Sequence, residues 1–261
     1  MSRTVLGISY TGTAFHGWQA QRQGPTVQQT LEAALSKIAA HDVRVICAGR
    51  TDTGVHATHQ IVHFDSPAIR PEKAWVLGTN AHLPETVAVS WSRPVDDSFS
   101  ARFSATARRY IYAIHNTTVR SALAAGLFTR ERRPLDADAM HTAAQALVGE
   151  HDFSAYRASK CQSRTPMRNI HEVAVYRRND MVFINIAANA FLHHMVRNIA
   201  GVLMDIGAGE RPVNWSAALL AGRDRTAAAM TAAPHGLYLV NVDYPQVYGL
   251  PAGPTLPYFF N

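Results

Sequence analysis

The sequence predicts an α+β fold built from two β-α-β-β-α-β halves, their strands joined into one mixed, mainly antiparallel sheet. Three observations predict it. Short apolar runs of strand length recur along the 261 residues, and stretches of helical periodicity separate them. The order strand, helix, strand, strand, helix, strand occurs once before residue 105 and again after it. Asn179-Asp180 sits between two well-alternating runs, as an antiparallel hairpin requires.

In the first half, Val5 to Tyr10 reads as a strand, followed by a polar and aromatic loop over residues 11–19. Gly24-Pro25 introduces a helix. Thr26 and Gln29 have capping-box spacing, and Val27, Leu31, Ala34, Leu35 and Ile38 fall on one face. Residues 43–47 and 59–65 read as the next two strands. Pro71 opens a second helix running to about Leu77, and residues 86–91 form a fourth strand ended by Pro94. This is the ferredoxin-like order.

The second half repeats the plan, though not the residues. Residues 109–115 read as a strand. Asp136 starts a helix that runs through Leu147 and stops at Gly149. Residues 170–176 and 181–187 form the hairpin. Asn189 is placed to cap a long helix over about 191–206, and residues 237–242 close the series. Residues 1–105 are thus the first half and 106–244 the second. Residues 245–261 form an extended tail whose Tyr258-Phe259-Phe260 packs on the body or on a second subunit.

Apolar residues make up 47% of the chain and charged residues 17%, ordinary for a globular protein. The net charge is +6, and of 25 basic residues only Lys37, Lys73 and Lys160 are lysines. An arginine-dominated basic chain suits a nucleic-acid partner, because guanidinium forks grip phosphates and stack on bases. A coding bias toward arginine would give the same composition. Cys47 and Cys161 lie far apart without metal-like spacing, which fits a reducing compartment. The N-terminus lacks a signal-peptide core and no run reaches membrane-spanning length, so a cytoplasmic protein without a membrane segment is expected.

The stretch of greatest chemical interest is Gly49-Arg50-Thr51-Asp52-Thr53-Gly54-Val55-His56-Ala57, a loop between two strands. Its glycines permit tight turns and close approach, and Asp52 stands at its middle. Local chemistry alone would make Asp52 an Asx-turn residue. On the long helix over about 191–206, Arg197 lies on the polar side, one turn after His193. On the strand after Arg108, Tyr110 and Tyr112 share a face that Arg109 does not. Arg93, Arg102, Arg108, Arg109, Arg120, Arg130, Arg132 and Arg133 crowd this region, and a second basic stretch covers 157–168. Such aromatics among arginines suit RNA, although strand aromatics more often serve a core. His56, His59 and His63 could be taken for metal ligands. Strand alternation argues against that, and no acidic ligand has matching spacing.

The octet from Arg50 to Ala57 resembles the signature of the tRNA pseudouridine synthase A family. Phe15-His16-Gly17-Trp18-Gln19, Phe103-Ser104-Ala105-Thr106-Ala107-Arg108-Arg109-Tyr110 and the segment from Asn189 to Asn198 resemble three further family blocks, in family order across nearly the whole chain. The resemblance implies the pseudouridine synthase fold, a homodimer with basic tRNA-binding clefts, and no metal or organic cofactor. It implies conversion of uridine to pseudouridine at positions 38, 39 and 40 of the tRNA anticodon stem-loop. Asp52 becomes the catalytic carboxylate, acting as nucleophile or as ribose base. Tyr110 and Arg197 become substrate-site residues, with Arg50 holding the extruded nucleotide or a phosphate. Two alternatives stand beside it: a catalytically inactive RNA-binding protein, and a metal hydrolase built on His56, His59 and His63.

Overall fold

The computed structural model describes residues 1–253 and 255–260, apart from the side chain of Tyr258. The class is α+β with a large, mostly antiparallel strand arrangement, as expected. The chain divides into two compact units, Met1–Arg108 with Tyr238–Asn261, and Arg109–Leu237.

The first unit contains β1 (Ser2–Tyr10), α1 (Val27–Ala39), β2 (Ile46–Cys47), β3 (His56–Ser66) and β4 (Val87–Val95). Strand β1 is central, antiparallel to both β3 and β4, while β2 adds to β3. The order β4-β1-β3-β2 is that of a ferredoxin-like half. Helix α1 begins where its capping box placed it. Thr26 accepts the Gln29 amide at 3.3 Å and donates its hydroxyl to Gln29 Oε1 at 2.7 Å. Leu31 and Leu35 are fully buried on its inner face.

Two expectations fail in this unit. Residues 43–45 are not strand, because the helix side chains take their amides: Val43 N–H donates to Ser36 Oγ at 2.9 Å and Val45 N–H to Glu32 Oε1 at 3.0 Å. Pro94 does not end its strand. It pairs opposite Thr4 within β4, which is an edge strand, where a missing amide leaves no gap in a ladder. The helix expected after Pro71 forms over residues 72–80 and includes a π-helical turn over Ala74–Gly78.

The second unit contains β5 (Ala107–Asn116), β6 (Thr129–Glu131), α2 (Ala137–Gln145), β7 (Gly149–Asp152), β8 (Met167–Arg178), β9 (Met181–Ala188), α3 (Met195–Gly207) and α4 (Trp215–Gly222). Strands run in the order β5-β9-β8-β7, with β6 parallel to β5. The β8–β9 hairpin turns at Asn179-Asp180, with Asn179 at φ 51° and Arg178 opposite Met181. Tyr176 stacks on Phe183 across it at 5.4 Å.

Helix α2 is capped by Asp136, which accepts the amides of Asp138 and Ala139 at 3.0 Å each. It ends at Gln145, and Gly149 opens β7 instead of stopping the helix. Helix α3 starts at Met195, not 191. Its N-cap is His194, in left-handed backbone at φ 61°. Asn189 does not cap it; its side chain accepts the amides of Asn169 and Ala190. Strands β6 and β7 and helix α4 lack a strong period, and the sequence does not predict them.

Strand β10 (Leu237–Asp243) returns to the first unit, where Tyr238 pairs opposite His56 and Leu239 opposite Ala57, parallel to β3. In the tail, Phe260 is buried against Tyr238, their rings T-shaped at 5.0 Å. The tail therefore packs on the body, although the Tyr258 side chain lies outside the described residues.

Candidate active site

The loop bearing Asp52 is held from three sides within the first unit. Its entry is gripped by Gln60 of β3, which is fully buried. The Gln60 carboxamide donates to Gly49 O at 2.6 Å and its Oε1 accepts the Gly49 amide at 3.3 Å. Gln60 also reaches the Tyr10 hydroxyl at 3.5 Å, and that hydroxyl bonds Thr51 Oγ1 at 2.8 Å. At the exit, Val55 N–H donates to Asp52 O at 3.1 Å with Gly54 at φ 80°, the third position of a turn that demands positive φ. The main chain closes this turn.

The third support is the polar and aromatic loop after β1. The Trp18 amide donates to Thr51 O at 2.9 Å, and the Gly12 amide to Nδ1 of His56 at 3.1 Å. Gly17, at φ +83°, passes so near that a Cβ there would lie 2.9 Å from Thr51 O. Trp18 is almost wholly buried. Two stretches forty residues apart in sequence thus form one structure. Thr51 is buried, Asp52 half-buried, and Arg50 and Thr53 exposed, so the loop presents a carboxylate near the surface from a fixed base.

The electrostatics around this loop are positive. Burial pushes the Cys47 thiol up to about 12, against the opposing pull of the Arg50 and Arg102 charges. Arg108 spans from Ala48 O at 3.1 Å to Arg102 O at 2.7 Å, tying the loop entry to the turn at residue 102.

The three histidines near the loop have internal partners. His56 stacks on Tyr238 at 4.5 Å while accepting the Gly12 amide. His63 Nδ1 accepts the Ala101 amide at 3.1 Å, and His59 Nδ1 lies 3.4 Å from Thr255 Oγ1. Burial lowers the pKa of both His59 and His63. Among the described residues, the ligand atoms of His56, His59 and His63 do not gather as one set.

In the second unit, Tyr110 of β5 is largely buried, with its ring T-shaped against Phe191 at 5.2 Å. Tyr112 is different in kind: its hydroxyl bonds Thr129 Oγ1 at 2.6 Å and Ala233 O at 2.8 Å, which makes it a core residue. Burial raises its pKa, opposed by the Thr129 hydrogen bond and the Arg197 charge. Arg197 stands in the first turn of α3, half-buried. Its Nε donates to Ala232 O at 2.8 Å and its carbonyl accepts the Ala232 amide at 3.2 Å, so segment and guanidinium fix each other. The next residue, Asn198, is buried and donates to Tyr156 O at 2.8 Å while accepting from Arg225 and Thr231.

Comparison with known proteins was made against this geometry. A sequence model of the tRNA pseudouridine synthase family matches residues 8–104 and 143–245. The chain belongs to the tRNA pseudouridine synthase family. Among curated relatives, "tRNA pseudouridine synthase A" of a Shewanella species (strain MR-4) is 55% identical over 249 residues, 95% of each chain. The protein of that name from Haemophilus influenzae (strain 86-028NP) is 52% identical over 98% of this chain and 96% of its own. That from Pseudomonas aeruginosa is 53% identical over 100% of this chain and 92% of its own.

Within this family member, the basic residues divide by use. Arg109 pairs with Glu172 at 2.9 Å, Arg93 with Glu72, and Arg133 with Glu131, Asp205 and Glu210. Arg130 donates to the carbonyls of Thr117 and Thr118. These arginines have protein partners, Arg93 and Arg130 at the surface and Arg109 and Arg133 half-buried, and composition could not separate them from the exposed Arg50, Arg102, Arg120 and Arg132. In the second basic stretch, Arg157 folds the loop by bonding Cys161 O at 2.9 Å and Ser163 O at 2.7 Å, leaving Lys160 and Arg164 exposed. Burial raises the Cys161 thiol pKa, but the Ser163 and His193 amides and the Arg157 charge more than offset it, and the net shift is downward. Sequence reasoning missed Gln60, Tyr10 and Asn198. Gln60 and Tyr10 showed only as polar groups within strand-like runs, and Asn198 falls on the polar side of the helix period although it is buried.

Proposed function

We propose that the protein converts uridine to pseudouridine in tRNA, at positions 38, 39 and 40 of the anticodon stem-loop. The observation that carries this reading is identity of 52–55% to curated tRNA pseudouridine synthases A over nearly the whole of both chains. The reaction breaks the N1–C1′ bond of uridine, turns the base, and joins C5 to C1′. The proton lost from C5 is balanced by the one gained at N1, so the change is an isomerisation.

Asp52 is assigned the reacting carboxylate. It attacks C1′ to form an ester that C5 later displaces, or it removes a ribose proton. A glycosidase uses a second carboxylate to activate water, whereas an isomerase must exclude water. A single carboxylate on a firmly held loop suits the second task. Arg197 is assigned, with Tyr110 and Arg50, to holding the substrate, its guanidinium suited to a phosphate or carbonyl oxygen. Tyr110 would stack on the flipped uracil and assist transfer of the C5 proton, and Arg50 would hold the nucleotide or a phosphate. Extruding the base costs a few kcal/mol, which phosphate contacts offset. The reading includes a homodimer in the cytoplasm with no cofactor. No helix among the described residues is long and apolar enough to cross a membrane.

The test uses unmodified tRNA with uridine at 38 to 40, incubated with the protein in chelator. Carbodiimide-stop primer extension then maps pseudouridine beside Asp52→Asn. Stops with the native protein and none with the variant, while both bind tRNA, are expected. Binding by both without stops would favour an inactive RNA-binding protein, and loss of stops only when chelator is present would favour a metal enzyme.

A further inference from the structure

Phe103 is 80% exposed although it belongs to a rigidly built turn. Its amide donates to Ser100 Oγ at 3.3 Å, and the Ser104 amide donates to Ser100 O at 2.9 Å. Just before it, Ala101 is fully buried, its amide held by His63 Nδ1 at 3.1 Å and its carbonyl by the Tyr244 hydroxyl at 2.6 Å. The neighbouring Phe99 is fully buried among the rings of His63, Tyr244 and Tyr248. The turn therefore separates two phenylalanines, one sealed in the core and one displayed to solvent. A displayed ring on an anchored turn loses little entropy when a flat partner stacks on it.

The surroundings of the ring state what that partner is. The Arg102 guanidinium lies over the ring at 5.1 Å. Arg108 joins the Arg102 carbonyl to Ala48, at the entry of the Asp52 loop. The charges of Arg50 and Arg102 are both felt at buried Cys47, which precedes the Asp52 loop. An aromatic face with guanidinium charge beside it is the chemistry that binds single-stranded nucleic acid, ring for base and cation for phosphate. A protein partner would ask for a broader apolar patch, but this ring stands among arginines.

We propose that Phe103 and Arg102 form a stacking platform for a base of the tRNA strand adjoining the uridine that enters the Asp52 loop. Phe103 holds the base and Arg102 the phosphate beside it, so the platform would fix the strand on one side of the flipped nucleotide. The proposal rests on Asp52 being the reacting residue.

The test measures affinity for unmodified tRNA by anisotropy across a salt series, in the native protein and in Asp52→Asn, where binding is read without turnover. Phe103→Ala should weaken binding about ten-fold with an unchanged salt slope, and Phe103→Tyr should restore it. Arg102→Gln should reduce the salt slope by about one. Melting temperature should barely move, because the ring is exposed and touches only the Arg102 guanidinium at the surface. Native affinity and native KM in Phe103→Ala would overturn the proposal. So would an altered sedimentation mass at unchanged affinity, which would assign the ring to a protein contact. Persistent activity in Asp52→Asn would overturn the catalytic assignment instead, and is read separately from the Phe103 affinities.

Discussion

Gln60 and Gly49 exchange two hydrogen bonds, the side-chain amide donating at 2.6 Å and its oxygen accepting at 3.3 Å. A buried carboxamide thus replaces the strand ladder at the point where the chain leaves β2 for the Asp52 loop. Gln60→Leu keeps the volume but leaves the Gly49 groups without their partner. It should cost about 1–3 kcal/mol by urea unfolding and lower kcat more than KM, since the displaced group is the carboxylate. Native kcat in that variant would show that the clamp does not position Asp52.

Gly17→Ala tests the second support. The added Cβ meets Thr51 O at 2.9 Å in backbone of positive φ, so strain and collision act together. A stability loss of about 1–3 kcal/mol is expected, with turnover falling beyond what the unfolded fraction accounts for. Differential scanning calorimetry beside initial rates separates the two effects.

His63 gives a pH dependence. Burial, aided by the Arg3 charge and opposed by Asp65, takes its pKa from 6.5 to about 4 in the folded protein. Between those values the unfolded chain binds the proton and the folded one does not. Stability from this group is therefore complete above pH 6.5 and lost progressively as pH falls toward 4, on the order of 3 kcal/mol in total. His63→Gln, which retains an acceptor for the Ala101 amide, should narrow the gap between unfolding free energies at pH 7.5 and pH 4.5. An unchanged gap would assign the acid sensitivity elsewhere.

Asp136→Ala serves as the contrasting case. It removes two N-cap hydrogen bonds from α2 and should cost about 1 kcal/mol in urea unfolding. Pseudouridine yield at saturating tRNA should be unchanged; a fall in yield would mean that α2 contributes to catalysis.

The sequence by itself determined the main strands and helices of both halves, the cap at Thr26, the hairpin at Asn179 and the singular loop around Asp52. These depend on local chemistry: side-chain period, capping geometry and the backbone freedom of particular residues. What only the tertiary structure decided lay where distant groups compete for the same atoms. Residues 43–45 lost their strand because Ser36 and Glu32 claimed their amides, and Asn189 lost its helix to the amide of Asn169. Period reads out a side chain's face and says nothing of which remote donor will reach a backbone group first. The same limit hid Gln60, a buried polar residue on a strand, until Gly49 and Tyr10 were seen against it. It also left the arginines undivided. Arg109 beside Glu172 and Arg102 over Phe103 carry the same charge, and only folding made one a brace and the other an exposed cation beside an exposed ring.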